Sequence, residues 1–142
     1  MILELYKSKY KLKKGIIKQL SDNLRYVKNI RNACAHNNVF LLNLYNKRSN
    51  RVKNPTQYAA IACQKMNTKR INKDFQKTHD LLILFRLHQE ICSTALNKRR
   101  FLEGKQVIDR INRHRNYYDS SQDLQHFFLF LNQSIDFLEQ DS

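Results

Sequence analysis

Residues 16–36 read I-I-K-Q-L-S-D-N-L-R-Y-V-K-N-I-R-N-A-C-A-H, and their spacing decides the class of fold. Ile16, Leu20, Leu24, Val27, Ile30 and Cys34 recur at steps of three and four. That is one apolar stripe of an amphipathic helix. At about 100° per residue, Arg25, Asn29, Asn32 and His36 fall on a different, polar face. Asn32 and His36 are four apart, so their side chains are neighbours. Arg31 is the exception. It falls beside Leu24 on the apolar side, where an unpaired charge is costly, so it needs a partner or a task. Arg31 and His36 also diverge by roughly 140° around a straight helix. An irregular helix, a bent Arg side chain or a second copy of the chain has to bring them to one phosphate.

Working outward, the rest of the chain reads as further helices. With 2 Gly and 1 Pro there are few sites for tight hairpins. Residues 2–12, with Leu3, Leu5, Tyr6, Tyr10 and Leu12, suggest a short helix ended by Gly15. The motif helix is expected over 16–36, stopped by Asn37-Asn38, since Asn tolerates the left-handed conformation after a helix. Val39–Tyr45 reads as a helical turn packed on the core, and 46–54 as an exposed basic loop. Asn54-Pro55 predicts a cap and first position for a helix to Thr68, burying Tyr58, Ala59, Ile61, Ala62 and Met66. From Asp74 to Leu102 runs the longest pattern, apolar around much of its circumference and therefore the central helix, with Gly104 as its stop. Lys105–Arg115 carries Val107, Ile108 and Ile111 on one face. Ser120 with Asp123 approximates a capping pair opening a last helix that buries Leu124, Phe127, Phe128, Leu131, Ile135 and Leu138. The expectation is a single all-α domain over 1–142, a bundle of about five to six helices.

At 142 residues the chain has one domain's worth of core. Lys and Arg number 26 against 12 Asp and Glu, a formal charge of +14. Such an excess attracts polyanions: nucleic acid first, an anionic membrane surface second. Cys34, Cys63 and Cys92 are widely spaced and odd in number, which favours buried thiols in a reducing compartment. Charges at Glu4, Lys7, Lys9 and Lys11 break any signal peptide, and the apolar run Leu81–Leu87 is too short to span a bilayer. A cytoplasmic protein is expected.

The chemistry concentrates at Ile30–Asn38, I-R-N-A-C-A-H-N-N. This string resembles the Arg-polar-x-x-x-His motif of the HEPN superfamily. Residues 24–38, L-R-Y-V-K-N-I-R-N-A-C-A-H-N-N, are similar to its Abi-like, abortive-infection phage-resistance branch. The resemblance implies a small helical bundle and a metal-independent ribonuclease, acting as a homodimer whose two motifs form one cleft. It implies Arg31, Asn32 and His36 as the catalytic residues, a toxin or phage-defence role, and an antitoxin or regulatory RNA as a further partner. Abi-like relatives carry a longer segment before the motif, so the resemblance also implies a C-terminal part, a short variant or half of a split protein.

Residue chemistry fits that reading. RNA transesterification needs a group that takes the 2′-hydroxyl proton or protonates the leaving oxygen, and imidazole does either near neutral pH. It needs a cation for the charge developing on phosphorus, and the Arg31 fork supplies one. Asn32 orients His36 or holds a phosphate oxygen. The alternatives are a helix that merely carries Arg and His, with His36 capping its end, or a bundle that has lost activity and binds RNA or protein.

A second constellation is Lys98, Arg99, Arg100, Lys105, Arg110, Arg113 and Arg115, followed by Tyr117-Tyr118. Cations neutralise phosphates and tyrosines stack bases, so Arg110, Arg113, Arg115, Tyr117 and Tyr118 are candidate RNA-binding residues. The plain alternative is a solvated face with two packed aromatics. Lys7, Lys9, Lys11, Lys13 and Lys14 make a less specific case. His79, His88, His114 and His126 lack metal-site spacing and read as surface or packing residues. No metal or other cofactor is expected, and with no Gly-rich phosphate loop nucleotide hydrolysis is unexpected.

Overall fold

The computed structural model describes residues 15–36 and 39–140. The helix expected over 2–12, the N-terminal lysines and the Asn37-Asn38 helix end lie outside those residues. The fold is all-α. Its helices are α1 (Ile16–Ala35), α2 (Gln57–Lys65), α3 (Gln76–Ile91), α4 (Thr94–Arg113) and α5 (Gln122–Phe137), with 3-10 turns at Arg70–Asp74 and Arg115–Tyr117. Among the described residues the β-type pairing is one isolated bridge between Arg51 and Phe75. It folds the basic 46–54 segment back onto the start of α3.

The centre is α3, as its all-round apolar pattern requires. It buries Leu81, Leu82, Ile83 and Leu87 together with Thr78, His79, Asp80, Arg86 and Gln89. Leu81 and Leu82 join Leu44, Ala62, Cys63, Met66, Phe127, Phe130 and Phe137 in the main core. Ile83 and Leu87 pack with Tyr58 and Ala59, covered by Leu20, Tyr26 and Val27 of α1. Burial of the Arg86 charge is compensated. Its Nη1 donates to the Tyr58 carbonyl at 2.9 Å and its Nε to Glu90 Oε1 at 2.8 Å. The guanidinium lies 3.8 Å from the Tyr58 ring centroid, and the Tyr58 hydroxyl donates to Glu90 at 2.7 Å. Burial, then the bond to Glu90, holds the Tyr58 phenol far above its ordinary range.

Several boundaries differ from the sequence expectation. The run 74–102 is two helices, because Cys92 and Ser93 turn extended (ψ 154° and 156°) and the Ser93 hydroxyl caps α4 by accepting from Leu96 N–H. Gly104 does not stop a helix. It lies inside α4, where a Cβ would come within 2.8 Å of the Ile135 side chain, so its role is the close approach of α4 to α5. The cap of α2 is Thr56, accepting from Ala59 N–H at 3.2 Å, rather than Asn54; its last residue is Lys65, with Asn67 at φ 52°. The cap of α5 is Ser121 rather than Ser120. Val39–Tyr45 forms irregular turns with Asn43 at φ 53°. Leu44 is buried while Val39, Leu41 and Leu42 face out. The last helix buries Phe130 at 1 % exposure, a residue the stripe omitted. Of the three thiols only Cys63 is buried; Cys34 is exposed and Cys92 half-buried.

Candidate functional site

The motif helix lies across α3 with its buried side rotated from the expected stripe. Asn23 is buried, and Tyr26, Val27, Ile30 and Ala33 are half-buried. Leu24 is 50 % exposed, and Arg31, seven residues on, is exposed with it. Arg31 therefore does not sit in a buried stripe; solvent, rather than a buried partner, accommodates its charge. Asn32 is half-buried and His36 exposed. His36 is the C-cap, its backbone N–H donating to the Asn32 carbonyl at 3.0 Å. Among the described residues, no side-chain hydrogen bond or ion pair engages Arg31, Asn32 or His36. Arg25, by contrast, is committed: its Nη2 donates to the Tyr26 hydroxyl at 2.7 Å.

Asn29, on the same face as Asn32 and His36, ties the motif helix to the centre. Its Nδ2 donates to Asp80 Oδ2 at 3.1 Å. Asp80 is 3 % exposed and also accepts from Gln76 Nε2 at 2.7 Å. His79 Nδ1 lies 3.1 Å from the same carboxylate. The Thr56 backbone N–H donates to His79 Nε2 at 3.3 Å, which makes Nε2 the acceptor and places the ring proton on Nδ1, toward Asp80. Thr56 in turn caps α2, so one buried carboxylate links α1, α2 and α3. None of Gln76, His79 or Asp80 was singled out for the site. Their sequence signal is a Q-x-x-H-D run inside an apolar helix, where polar residues need partners.

Beside this network a cavity of about 340 Å³ opens between α1, α3 and the 39–40 segment. Asn29, Ile30, Ala33, Val39, Phe40, Gln76, Lys77 and Asp80 line it. Lys77 Nζ donates to the carbonyls of Phe40 and Leu42 at 2.7 and 2.6 Å, pinning that segment over the cavity. Burial pushes the Lys77 ammonium below its ordinary range.

The basic constellation sits at the other end of the sequence, on α4 and the turn after it. Its members divide. Arg99 and Arg100 both grip Glu103, whose carboxyl they hold below its ordinary range, Arg100 most. Lys105 pairs with Asp136 at 2.6 Å, and Arg115 approaches Asp119 at 3.5 Å. Arg110 and Arg113 are exposed and, among the described residues, form no ion pair. Tyr117 is 73 % exposed and stacks on His114 at 6.0 Å, while Tyr118 is half-buried edge-on to Phe128 at 5.2 Å. A cleft of about 500 Å³ between α4 and α5 runs past Arg115 and Tyr118. Arg110, Arg113 and Tyr117 are thus open to solvent, and Tyr118 is a packing residue beside them. His79 and His126 are packing residues, His126 stacked on Tyr45 at 4.7 Å. Among the described residues no three His, Cys, Asp or Glu side chains gather as metal ligands, and no helix is long and apolar enough to cross a membrane. No family model, curated protein or solved structure matches the chain.

Proposed function

We propose that the chain is a metal-independent RNA endonuclease of the HEPN type, Abi-like in its motif, acting in the cytoplasm as a homodimer in phage defence or as a toxin. The observation that carries this is the presentation of Arg31, Asn32 and His36. They lie at the C-terminal end of a helix, Arg31 and His36 exposed and Asn32 half-buried, with no side-chain bonds among the described residues, on a chain of charge +14. His36 exchanges the proton between the 2′-hydroxyl and the leaving 5′-oxygen, Arg31 meets the charge on phosphorus with its fork, and Asn32 orients the pair. The divergence of Arg31 and His36 on a regular helix supports a two-fold site in which a second copy supplies the other half. The exposed Leu24, Leu41 and Leu42 supply apolar surface for that contact. Arg110, Arg113, Arg115 and Tyr117, with Tyr118 behind them, bind the RNA strand away from the cut.

The motif helix offers Asp22 alone as a carboxylate, fourteen residues before His36, so the nucleophile is the substrate's own 2′-hydroxyl. The products are a 2′,3′-cyclic phosphate and a 5′-hydroxyl. The test is total RNA incubated with the wild-type protein and with His36→Ala, in excess EDTA, beside a substrate carrying one 2′-deoxy sugar at the cut. Wild-type cleavage that EDTA leaves intact and the 2′-deoxy sugar stops supports the reading; metal dependence or cleavage by the His36 variant ends it. The second reading, a catalytically silent bundle that binds RNA or an antitoxin, draws on the lack, among the described residues, of side-chain bonds orienting Arg31 and His36. RNA retention without cleavage selects it.

A further inference from the structure

We propose that the cavity between α1 and α3 receives the base of the nucleotide next to the scissile phosphate and selects one with an exocyclic amino group over uracil. The proposal rests on the reading of the motif as an RNA-cleaving site and names the substrate feature that site takes. Its position comes from the helix. Asn29 precedes Asn32 by three residues and His36 by seven on one face, about 10 Å along the axis and within reach of one nucleoside. Ala33, beside Asn32, is already part of the wall.

The lining matches a base and disfavours a phosphate. Ile30, Ala33 and the Phe40 ring give flat or apolar sides, and the volume, about 340 Å³, admits a ring system. The polar end is the buried Asp80 carboxylate, which repels a phosphate. The nearest cation, Lys77, already points at two backbone carbonyls. A phosphate belongs outside, toward His36 and Arg31.

The choice of base follows from donor and acceptor accounting. A carboxylate only accepts. Asn29 and Gln76 each turn one N–H toward Asp80, and among the described residues each keeps a second N–H and an amide oxygen outside that contact. Asp80 Oδ2 accepts from Asn29 alone among the described residues, and a carboxylate oxygen takes a second donor. Each amide can thus meet a donor or an acceptor, and the acceptor-only groups are the Asp80 oxygens. Cytosine N4, adenine N6 and guanine N2 carry amino donors that satisfy them, and a carboxylate accepting from cytosine N4 is a recurring pairing. Uracil offers those oxygens one N–H set between two carbonyls, which the carboxylate repels.

The experiment titrates the ¹⁵N-labelled full chain with each of the four nucleoside 3′-monophosphates and repeats the titration on Asn29→Ala, whose amide backbone spectrum first checks the fold. The side-chain amide signals of Asn29 and Gln76 should shift with the cytidine, adenosine and guanosine nucleotides. The uridine nucleotide should bind at least about tenfold more weakly, and Asn29→Ala should narrow that gap. Cut sites in total RNA are mapped in parallel for both proteins. Equal binding of the uridine nucleotide, no shift at Asn29 and Gln76, or shifts confined to Arg110–Tyr118 overturn the pocket. If nucleotides bind as expected but RNA stays intact, the nuclease reading fails and the pocket stands. If RNA is cut and Asn29→Ala leaves the base preference unchanged, the pocket fails and the nuclease stands.

Discussion

Arg86 and Arg31 sit on two helices that touch, and they have opposite fates. Arg86, on α3, is buried with its guanidinium between the Tyr58 ring, the Tyr58 carbonyl and Glu90. Arg31, on α1, is exposed and unbonded among the described residues. The helices differ in the same way: α3 buries nine side chains and α1 buries Asn23 alone. A charge that the fold has fully satisfied is part of the architecture. A charge that it presents and leaves unsatisfied is available to a ligand.

The largest expected effect tests the uncommitted side. His36→Ala should lower RNA cleavage by about 10² to 10⁴, the usual cost of losing a positioned acid or base, with no change in melting temperature. Loss of melting stability alongside activity would make His36 architectural. Next comes the arginine pair itself. Arg86→Ala should cost about 3 kcal/mol in denaturant unfolding by orphaning Glu90 and the Tyr58 carbonyl, whereas Arg31→Ala should stay within about 0.5 kcal/mol. Equal costs would erase the contrast. Gly104→Ala should destabilise by about 1–3 kcal/mol through overpacking against Ile135, and barely alter cleavage. If it instead raises stability, by helix propensity alone, α4 and α5 are further apart than described.

The smallest effect is a pH dependence from the architectural side. Burial, helped by Lys69 and opposed by Asp123, holds the His126 pKa below its ordinary value of 6.5. Its Nε2 is buried without a partner. The folded chain therefore binds this proton less readily than the unfolded chain. The stability it contributes is present above about pH 6.5 and falls away below, by less than about 1.4 kcal/mol per pH unit. Melting temperatures measured at pH 7.5 and 5.5 should differ for the wild type and converge for His126→Phe.

The all-α class, the motif helix and the aromatic last helix were legible because each repeats its apolar residues at helical spacing over four turns or more. The break at Cys92-Ser93 was not, because neither Gly nor Pro marks it and the signal is a lone capping Ser inside an apolar run. Gly104 misled for the complementary reason: helix–helix contact, invisible along the chain, explains it better than helix termination. Arg31, Asn32 and His36 are singled out by pattern alone, and they lie together at the end of α1. The side of Arg31 was misjudged, because packing against α3 centres the buried face between Asn23 and Ile30, away from Leu24. Asp80, Gln76 and Phe40 could not be foreseen beside Asn29, since tertiary contact alone brings those segments together.

The bond from Asn29 to Asp80 spans 51 residues of chain. Contacts of α3 with α4 and of α4 with α5, by contrast, close across connections of a few residues, while α3 meets α5 at a separation like that of Asn29 and Asp80. Closing the longer loop carries the greater entropic cost before any contact rewards it. In kinetic terms α1 is expected to dock after α3 and α4 have paired. Cutting the Asn29–Asp80 bond should therefore speed unfolding and leave the folding rate nearly unchanged, a φ-value near zero at Asn29 against a high one in α3. On that expectation the helix carrying the proposed chemistry joins α3 after α3 and α4 have met.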